Sequence, residues 1–414
     1  MKNIFIKLVA YITVVLLAST SLAMAKEQKN LPDVQYHAYK VVHHMTAVIE
    51  HMETFGFNEW DNPQIANHKF FVITPALDHY YSKAVTDVRW GPVVVDTPAK
   101  DNRYSSFQVF DMEHHSVYEK VIEREGERFV VVHEDYTGPI PKGTVVKVNC
   151  NFPFLFMRTQ SFAFNDDKLA DTIRRSATIS GVWQMPDLPK AEDTKSVVQW
   201  VIDNSKPYKT TGSMMKEAAK TYSMDIHKKT FLNIKEFLAA GGISGNVGGF
   251  ESVDHPAGGS MKVRAACCLM GHLGFPVHHA YYQQIPMDRE GDVLNGAKGP
   301  FVMTIPYKPG VDLFWSVTRY GFDTFLPLNP ADIGGNDIQA YNAFNTEPDK
   351  NGNVTFTFSK KDPKDGTYWM PVKDSDYYII VRYYGPTARL NGNTAVDIIY
   401  GGTPVGEKFK AVKF

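Results

Sequence analysis

The spacing of apolar residues changes along the chain, from a helical period near the N-terminus to a period of two and later back again. Apolar residues recur every three or four positions from 34 to 54, with Asp33 as a fair N-cap and Gly56 after the last turn. This pattern predicts an amphipathic helix. His44 and His51 lie two turns apart on it, whereas metal ligands on one helix are spaced by three or four, so we expect both at a solvated flank.

From about residue 69 to 158, apolar and polar residues alternate, which predicts short strands separated by turns. A helical middle follows, and a second alternating region runs from 280 to 384. Strands at this spacing indicate a sandwich or a barrel. The predicted strands cover residues 70–73, 93–95, 104–112, 129–133, 145–148, 300–305, 314–320, 354–359 and 377–384, and the predicted helices of the middle cover 197–202, 213–222, 230–240 and 258–273.

The first residues have the pattern of a secretory signal. Lys2 and Lys7 flank the start of an apolar run at 8–17, and small residues lead to an A-x-A-type cleavage site at 23–25. The apolar run is about ten residues long, whereas a membrane-spanning helix needs roughly 20. We therefore predict a signal peptide over residues 1–25 and a periplasmic or secreted protein with no membrane span after cleavage. An uncleaved anchor is the alternative.

Composition excludes some classes of partner and scaffold. The chain holds 44 basic and 45 acidic side chains, and this near balance argues against nucleic acid or an anionic membrane as partner. Its three cysteines, Cys150, Cys267 and Cys268, are too few for a disulfide scaffold, and a bridge between adjacent cysteines is strained. We expect all three to pack as small apolar side chains.

The first alternating region resembles a known family. The segment TPALDHYYSKAVTDVRWGPVVVDTP is followed by NRYSSFQVFD, and the apolar stretch FPFLFM leads to Arg158 and Thr159. These motifs resemble the family called domain of unknown function 1254. Leu77, His79 and Thr74 depart from the family pattern, which implies a different or more weakly bound ligand. The matching positions are Asp78, Tyr81, Ser82, Gly91, Pro92, Pro98, Arg103, Tyr104, Gln108 and Asp111.

The second alternating region resembles the usual companion of that family, domain of unknown function 1214. The segments VDLFWSVTRYGFDTFLPLNPADIGGND and VKDSDYYIIVRYYGPTARLNG carry this resemblance. The pairing implies a mainly β (α+β) fold with two tandem antiparallel β-sandwich domains of the jelly-roll type. The predicted organisation is a signal peptide at 1–25, a helical segment at 26–64, a first sandwich at 65–185, a helical connecting region at 186–279 and a second sandwich at 280–400.

The segment FDMEHH in the first region offers side chains that could share one ligand. On a strand, Asp111, Glu113 and His115 would point to the same face, about 6.8 Å apart along it. Together they could hold a hard cation, or place an acid and a base around one substrate. An exposed polar end of an edge strand is the alternative.

Asp78 and His79 are a second candidate for chemistry. On an extended segment their side chains would point to opposite faces, so we expect no acid–base pair between them. We predict instead that Asp78 pairs with Arg103 or Arg158, because an arginine after an apolar strand needs a partner, and that His79 is peripheral. This is either an ion pair that fixes the turn or a polar-aromatic cleft in which Asp78 is acid or base and Arg158 clamps an anion. The candidate catalytic residues are Asp78, Arg103, Arg158, Asp111, Tyr81 and Tyr104.

Two functions remain open at this point. The first is a hydrolase- or lyase-like enzyme that acts on a small or oligomeric substrate in this cleft. The second is a non-catalytic module that binds a glycan, a lipid or a partner chain through its β faces. No cofactor is predicted, a divalent cation stays open through Asp111, Glu113 and His115, and a homo-oligomer is a further alternative. The chain lacks a G-x-S-x-G elbow, an H-E-x-x-H motif and a P-loop.

Overall fold

The computed structural model describes residues 30–70, 72–162, 167–239, 242–243, 245–254 and 258–386. The chain divides into two compact units. What we call the first unit contains residues 31–65 and 78–279, and the second unit contains residues 66–77 and the chain from residue 280. The predicted signal peptide lies outside the described residues. None of the described helices is long and apolar enough to cross a membrane.

Strands dominate the described part of the chain, which contains fifteen strands and six α-helices. All six α-helices belong to the first unit. The N-terminal helix and the helices between residues 186 and 279 therefore share this unit with the first β region. The predicted mainly β, α+β class is confirmed.

Helix α1 (Asp33–Phe55) is the predicted amphipathic helix, and its apolar face is buried. The buried side also includes His37, Lys40, His44 and His51, which follow one another at helical spacing. The solvated flank expected for His44 and His51 is wrong, because these side chains are only 0% and 5% exposed. Other elements of the first unit cover this side of the helix.

The five other helices begin and end close to the predicted limits in most cases, although the first of them was not predicted. Asp167, Asp193 and Ser260 cap three of them, since each side chain accepts a hydrogen bond from a backbone N–H of the first helical turn. These helices are α2 (Lys168–Arg175), α3 (Thr194–Asn204), α4 (Gly212–Thr221), α5 (Met224–Ala239) and α6 (Met261–Gly271). Of these, α3 to α6 pack against α1.

Eight strands of the first unit form two sheets. They are β1 (His79–Val85), β2 (Val93–Asp96), β3 (Ser105–Phe110), β4 (Ser116–Val121), β5 (Arg128–His133), β6 (Thr144–Val148), β7 (Phe154–Gln160) and β8 (Thr178–Ser180). The first sheet has the order β1-β7-β3-β4 and the second has the order β6-β5-β2-β8. The stacked rings of Phe107 on β3 and Phe129 on β5, with centroids 4.5 Å apart, join the two sheets in one core.

Seven strands of the second unit also form two sheets. They are β9 (Ala280–Ile285), β10 (Phe301–Pro306), β11 (Val311–Gly321), β12 (Ala340–Asn342), β13 (Asn353–Ser359), β14 (Tyr368–Pro371) and β15 (Tyr377–Pro386). Their orders are β12-β11-β15-β9 and β10-β13-β14. The ring of Trp315 on β11 meets the ring of Phe356 on β13 edge to face at 6.1 Å, so the two sheets pack against each other.

The strand pairs are antiparallel, as expected, except for one parallel pair in each unit, β5 with β6 and β13 with β14. The strand predicted at 70–73 is wrong, because residues 72–74 form bends. Thr74 has a φ of 56°, which interrupts an extended chain. Its N–H donates to the carbonyl of Phe325 at 2.7 Å and its hydroxyl bonds to the Tyr378 hydroxyl at 2.8 Å, so contacts distant in sequence set this bend.

Candidate functional site

The strand order of the first sheet brings several predicted site residues onto neighbouring strands. Strand β7 pairs with β1 on one side and with β3 on the other, so Tyr81, Arg158 and Ser106 lie side by side across three strands. Tyr104 directly precedes β3, and its N–H donates to the side chain of Gln160 at 2.9 Å. Side chains of Tyr81 and Arg158 therefore share one face of the sheet.

Asp78 and His79 pair with each other, contrary to expectation. His79 Nδ1 lies 3.0 Å from Asp78 Oδ1, and both side chains are buried. The expected opposite orientation is wrong because Asp78 lies in the turn before β1, where the alternation of a strand does not yet apply.

Arg103 is held by two carboxylates other than Asp78. Its Nε and Nη2 donate to Asp101 at 2.7 and 3.0 Å, and its Nη1 donates to Asp167 at 3.1 Å and to the carbonyl of Gln160 at 2.8 Å. Asp167 is also the N-cap of α2. Asp101 takes the place expected for Asp78 because it lies only two residues away and binds in a bidentate manner. Arg103 thus ties the start of β3 to α2.

Arg158 has no carboxylate partner among the described residues. It is 5% exposed, and its guanidinium carbon lies 4.4 and 3.7 Å from the ring centroids of Phe156 and Phe275. Nη1 donates to the Gln108 side chain at 2.8 Å, and Nη2 donates to the carbonyl of Leu273. The expected partners, Asp78 and Asp111, are not among these contacts. Neutral groups and aromatic faces therefore hold the cation without neutralising it.

Two further polar groups lie next to Arg158. The Tyr104 hydroxyl is 2.8 Å from Nε2 of His279, and the ring of His279 stacks on Phe275 with centroids 3.9 Å apart. The ring of His79 meets that of Tyr104 at 5.4 Å. Burial, together with the charge of Arg158, lowers the pKa of His279 to about 3, so its imidazole is neutral at pH 7. What we call the Arg158 site comprises Asp78, His79, Tyr104, Arg158, Phe275 and His279.

The FDMEHH segment forms a turn between β3 and β4 rather than the predicted strand. Asp111 Oδ1 accepts hydrogen bonds from the backbone N–H groups of Glu113 and His115 at 2.9 and 2.8 Å, and His114 has a left-handed φ of 62°. The alignment of Asp111, Glu113 and His115 on one strand face is therefore wrong. Bonds from an aspartate to nearby backbone N–H groups favour a turn over a strand.

A buried chain of ionisable groups starts at this turn. Lys40 Nζ lies 2.9 Å from His115 Nε2, His115 Nδ1 lies 3.1 Å from Asp111 Oδ2, and the Tyr208 hydroxyl donates to the same oxygen at 2.5 Å. Burial lowers the pKa of Lys40 to about 8. Burial alone would raise the pKa of Asp111, but His115 and the hydrogen bonds outweigh this effect and hold it at about 2. Asp111 is therefore ionised at neutral pH.

Glu113 is used for a different contact. Its Oε2 lies 3.0 Å from Nε2 of His37 and accepts a hydrogen bond from the hydroxyl of Thr211 at 2.6 Å. The two carboxylates of the turn thus pair with different histidines: Asp111 pairs with His115, and Glu113 pairs with His37. The cation site considered for Asp111, Glu113 and His115 does not form among the described residues.

Three other histidines, which were not predicted as a group from the sequence, converge beside the turn. His44 lies on α1, His114 lies in the turn and His272 follows α6, and one ring nitrogen from each lies within 4.8 Å of the others. Burial lowers the pKa of His44 to about 3 and that of His114 and His272 well below the usual value, so all three are neutral. Neutral imidazoles are metal ligands. No spacing motif links these positions, so no sequence signal beyond the histidines themselves could have found them.

The fold and these sites define a mainly β protein of two units, with buried acid–base groups between a helical layer and a sheet of the first unit. Residues 57–180 match the family described as Protein of unknown function (DUF1254), and residues 279–388 match the family described as Protein of unknown function (DUF1214). The chain therefore matches both family models in the order that its motifs predicted.

Two solved structures are similar to this chain. The VPA0106 protein from Vibrio parahaemolyticus is 20% identical, with a TM-score of 0.65 over 89% of this chain and 97% of that one. An uncharacterised protein from Burkholderia cenocepacia is 15% identical, with a TM-score of 0.49 over 92% of this chain and 91% of that one. The likeness to the Vibrio protein supports the fold class alone. No curated protein sequence matches this chain significantly.

Proposed function

We propose that this protein is a hydrolase- or lyase-like enzyme that binds an anionic group of a small ligand at the Arg158 site. One observation carries the proposal: the guanidinium of Arg158 is buried and has no carboxylate partner among the described residues. A buried charge without a counter-charge costs several kcal/mol, which a bound anion would offset. Arg103 is the contrast, because Asp101 and Asp167 neutralise it.

The surroundings of Arg158 favour a planar anion. The rings of Phe156 and Phe275 lie over the guanidinium, so further hydrogen bonds must form in its plane. Carboxylates bind guanidinium groups in this plane, often through two parallel hydrogen bonds. Gln108 and Leu273 hold the side chain in place through neutral oxygens and leave its charge available.

Acid–base groups next to the arginine supply the chemistry. We assign the role of general base to the imidazole of His79, whose Nδ1 lies 3.0 Å from the carboxylate oxygen Oδ1 of Asp78. We assign proton donation to the hydroxyl of Tyr104, which shares a hydrogen bond with His279. In a hydrolysis, His79 takes a proton from water; in an elimination, it takes one from the carbon beside the carboxylate. In both cases Tyr104 gives a proton to the leaving group.

Thermal unfolding of the full chain with small carboxylates and their neutral amides tests the anion site. A ligand at 100 times its Kd stabilises the folded state by about 2.7 kcal/mol, which raises the Tm measurably. Arg158→Met should abolish the response to carboxylates. Arg175→Met is the matched control, since Arg175 is an exposed arginine of the same unit. An equal rise in the Arg158→Met variant, or no rise beyond that caused by chloride at the same ionic strength, would exclude this site.

Asp78→Asn separates an enzyme from a binding module. With a carboxylate that binds, the enzyme hypothesis predicts that this variant keeps its affinity but loses turnover by about 100-fold or more, followed by NMR of the ligand. Binding without turnover in the wild type would favour the alternative, a non-catalytic module for a glycan, a lipid or a partner chain.

We also propose that the protein is exported to the periplasm or secreted. The basic start, the apolar run at 8–17 and the cleavage pattern at 23–25 support this. N-terminal sequencing of the exported form should begin at Lys26. Recovery of the full-length mass from a membrane fraction would contradict cleavage.

A further inference from the structure

We propose that His44, His114 and His272 bind one divalent transition-metal ion of the Zn²⁺, Co²⁺ or Cu²⁺ class. The three imidazoles come from separate elements of the first unit and bring one nitrogen each to within 4.8 Å of the others. The site shares no residue with the Arg158 site, and the proposal does not depend on the enzyme activity proposed above. It rests on the hydrogen bonds that fix the histidine tautomers and on one buried nitrogen.

Backbone carbonyls decide which nitrogen carries the proton in two of these histidines. His44 Nε2 lies 3.1 Å from the carbonyl oxygen of Asp111, and His114 Nε2 contacts the carbonyl oxygen of His272. A carbonyl oxygen only accepts hydrogen bonds, so both Nε2 atoms carry hydrogen. In a neutral imidazole the other nitrogen then offers a lone pair. Nδ1 of His44 and Nδ1 of His114 are therefore available as ligand atoms, and a ring N–H bonded to a carbonyl is the usual support of a metal-binding histidine.

The buried Nδ1 of His114 is the second observation that points to a ligand. Within the described part of the chain this atom has no hydrogen-bond partner. Buried polar atoms without a partner are rare and call for an explanation such as an ion. His272 Nε2 lies 2.9 Å from His44 Nδ1, and it needs only to pass its proton to its own Nδ1 to become a ligand.

The size and chemistry of the group fit a small, borderline-soft cation. Around a tetrahedral Zn²⁺ with Zn–N bonds of about 2.0–2.1 Å, nitrogen atoms lie roughly 3.4 Å apart, so metal binding would draw the three nitrogens together. Because the rings of His114 and His272 are nearly parallel, one of them would also turn to direct its lone pair at the ion. Three neutral imidazoles favour such an ion over Mg²⁺ or Ca²⁺, which prefer oxygen ligands. A set of three protein ligands leaves a further coordination position for water or substrate, and the partly exposed His272 marks the accessible side.

The turn that carries His114 is held by Asp111, which we assign as a positioning residue. Its Oδ1 accepts the N–H groups on either side of His114, and its carbonyl accepts the N–H of His44. Asp111→Ala removes this acceptor and should weaken metal binding by about 10- to 100-fold without removing the ligand-field spectrum, because all three ligands remain.

Titration with Co²⁺ tests the site. The full chain, made without a histidine tag and treated with a chelator, should bind one equivalent of Co²⁺ with visible ligand-field bands that Zn²⁺ removes. His44→Ala, His114→Ala and His272→Ala should each weaken binding by at least about 100-fold, the upper end of what loss of a supporting residue costs. His51→Ala is the matched control, because His51 is another buried histidine of α1, and it should bind Co²⁺ like the wild type.

Two results would overturn the proposal. One is the absence of ligand-field bands in the wild type, and the other is Co²⁺ binding that persists in all three ligand variants. His272→Ala keeps the test decisive if a variant of a fully buried histidine fails to fold, because His272 is partly exposed. Circular dichroism identifies folded variants, and a rise in Tm with Zn²⁺ in the wild type but not in His272→Ala would support the same conclusion.

Discussion

Replacing Arg319 by methionine should stabilise the second unit. Arg319 lies on β11 and is 0% exposed. Its Nη2 donates to the Gln339 side chain, but Nε and Nη1, which carry three of the five guanidinium N–H bonds, have no partner among the described residues. The positive charge of Arg319 is therefore poorly compensated by its surroundings, and a methionine side chain fills a similar volume without carrying a charge.

The size of the effect follows from the charge of Arg319. Burial lowers its pKa from 12.5 to about 9, and since a tenfold change in the protonation equilibrium is ~1.4 kcal/mol, the folded state disfavours the charge by ~5 kcal/mol. Loss of the bond to Gln339 leaves a buried amide oxygen unsatisfied, at about 1–3 kcal/mol. The expected net gain in the free energy of unfolding is therefore about 2 kcal/mol or somewhat more, within the range seen when buried ions give way to apolar residues.

Urea unfolding followed by tryptophan fluorescence measures this change, because Trp315 lies on the same strand. Arg382→Met is the matched control. Arg382 lies on the paired strand β15 and is also buried, but it donates to Thr318, Tyr320 and the carbonyl of Thr74, so its replacement should destabilise the unit by about 1–3 kcal/mol. A loss of more than about 1 kcal/mol in Arg319→Met, a typical destabilisation, would refute the reasoning and indicate a counter-charge at Arg319.

Three further predictions concern stability and accessibility. Arg103→Met should lower the free energy of unfolding by about 1.5–3 kcal/mol, measured by urea unfolding, because it removes the charge-assisted hydrogen bonds to Asp101 and Asp167. Gly126→Ala should destabilise far more than Gly366→Ala in thermal unfolding. Both have positive φ, but a Cβ at Gly126 would lie 2.3 Å from a backbone oxygen, whereas Gly366 faces open space; equal losses would mean that backbone strain alone matters. The three cysteines are buried thiols, so a thiol reagent should label none of them before denaturation and all three afterwards.

Local patterns in the sequence were sufficient to predict most helices and strands of the fold. Helix α1 and strands β2, β5 and β11 follow from apolar spacing, because burial of one helix stripe or one strand face depends on residues close in sequence. The family motifs were likewise recognisable without coordinates, since they are contiguous segments. Strand β1 was missed because the bend before it depends on contacts of Thr74 with Phe325 and Tyr378, far along the chain.

Only the tertiary structure decided which polar groups meet. Asp78 and His79 were identified as candidates, but their pairing depends on the turn before β1, which residue alternation does not describe. The partners of Arg158 come from β3 and from the segment after α6, and none of them is the carboxylate that its position suggested.

The group of His44, His114 and His272 shows most clearly why the sequence alone could not predict which polar groups meet. Hydrophobic periodicity reports which face of an element is buried, but it does not report which other element covers that face. The polar stripe of α1 therefore resembled a solvated flank until the Asp111 turn and the end of α6 were seen to cover it. His44, His114 and His272 are far apart in sequence, and only the packing of three elements brings their ring nitrogens within 4.8 Å.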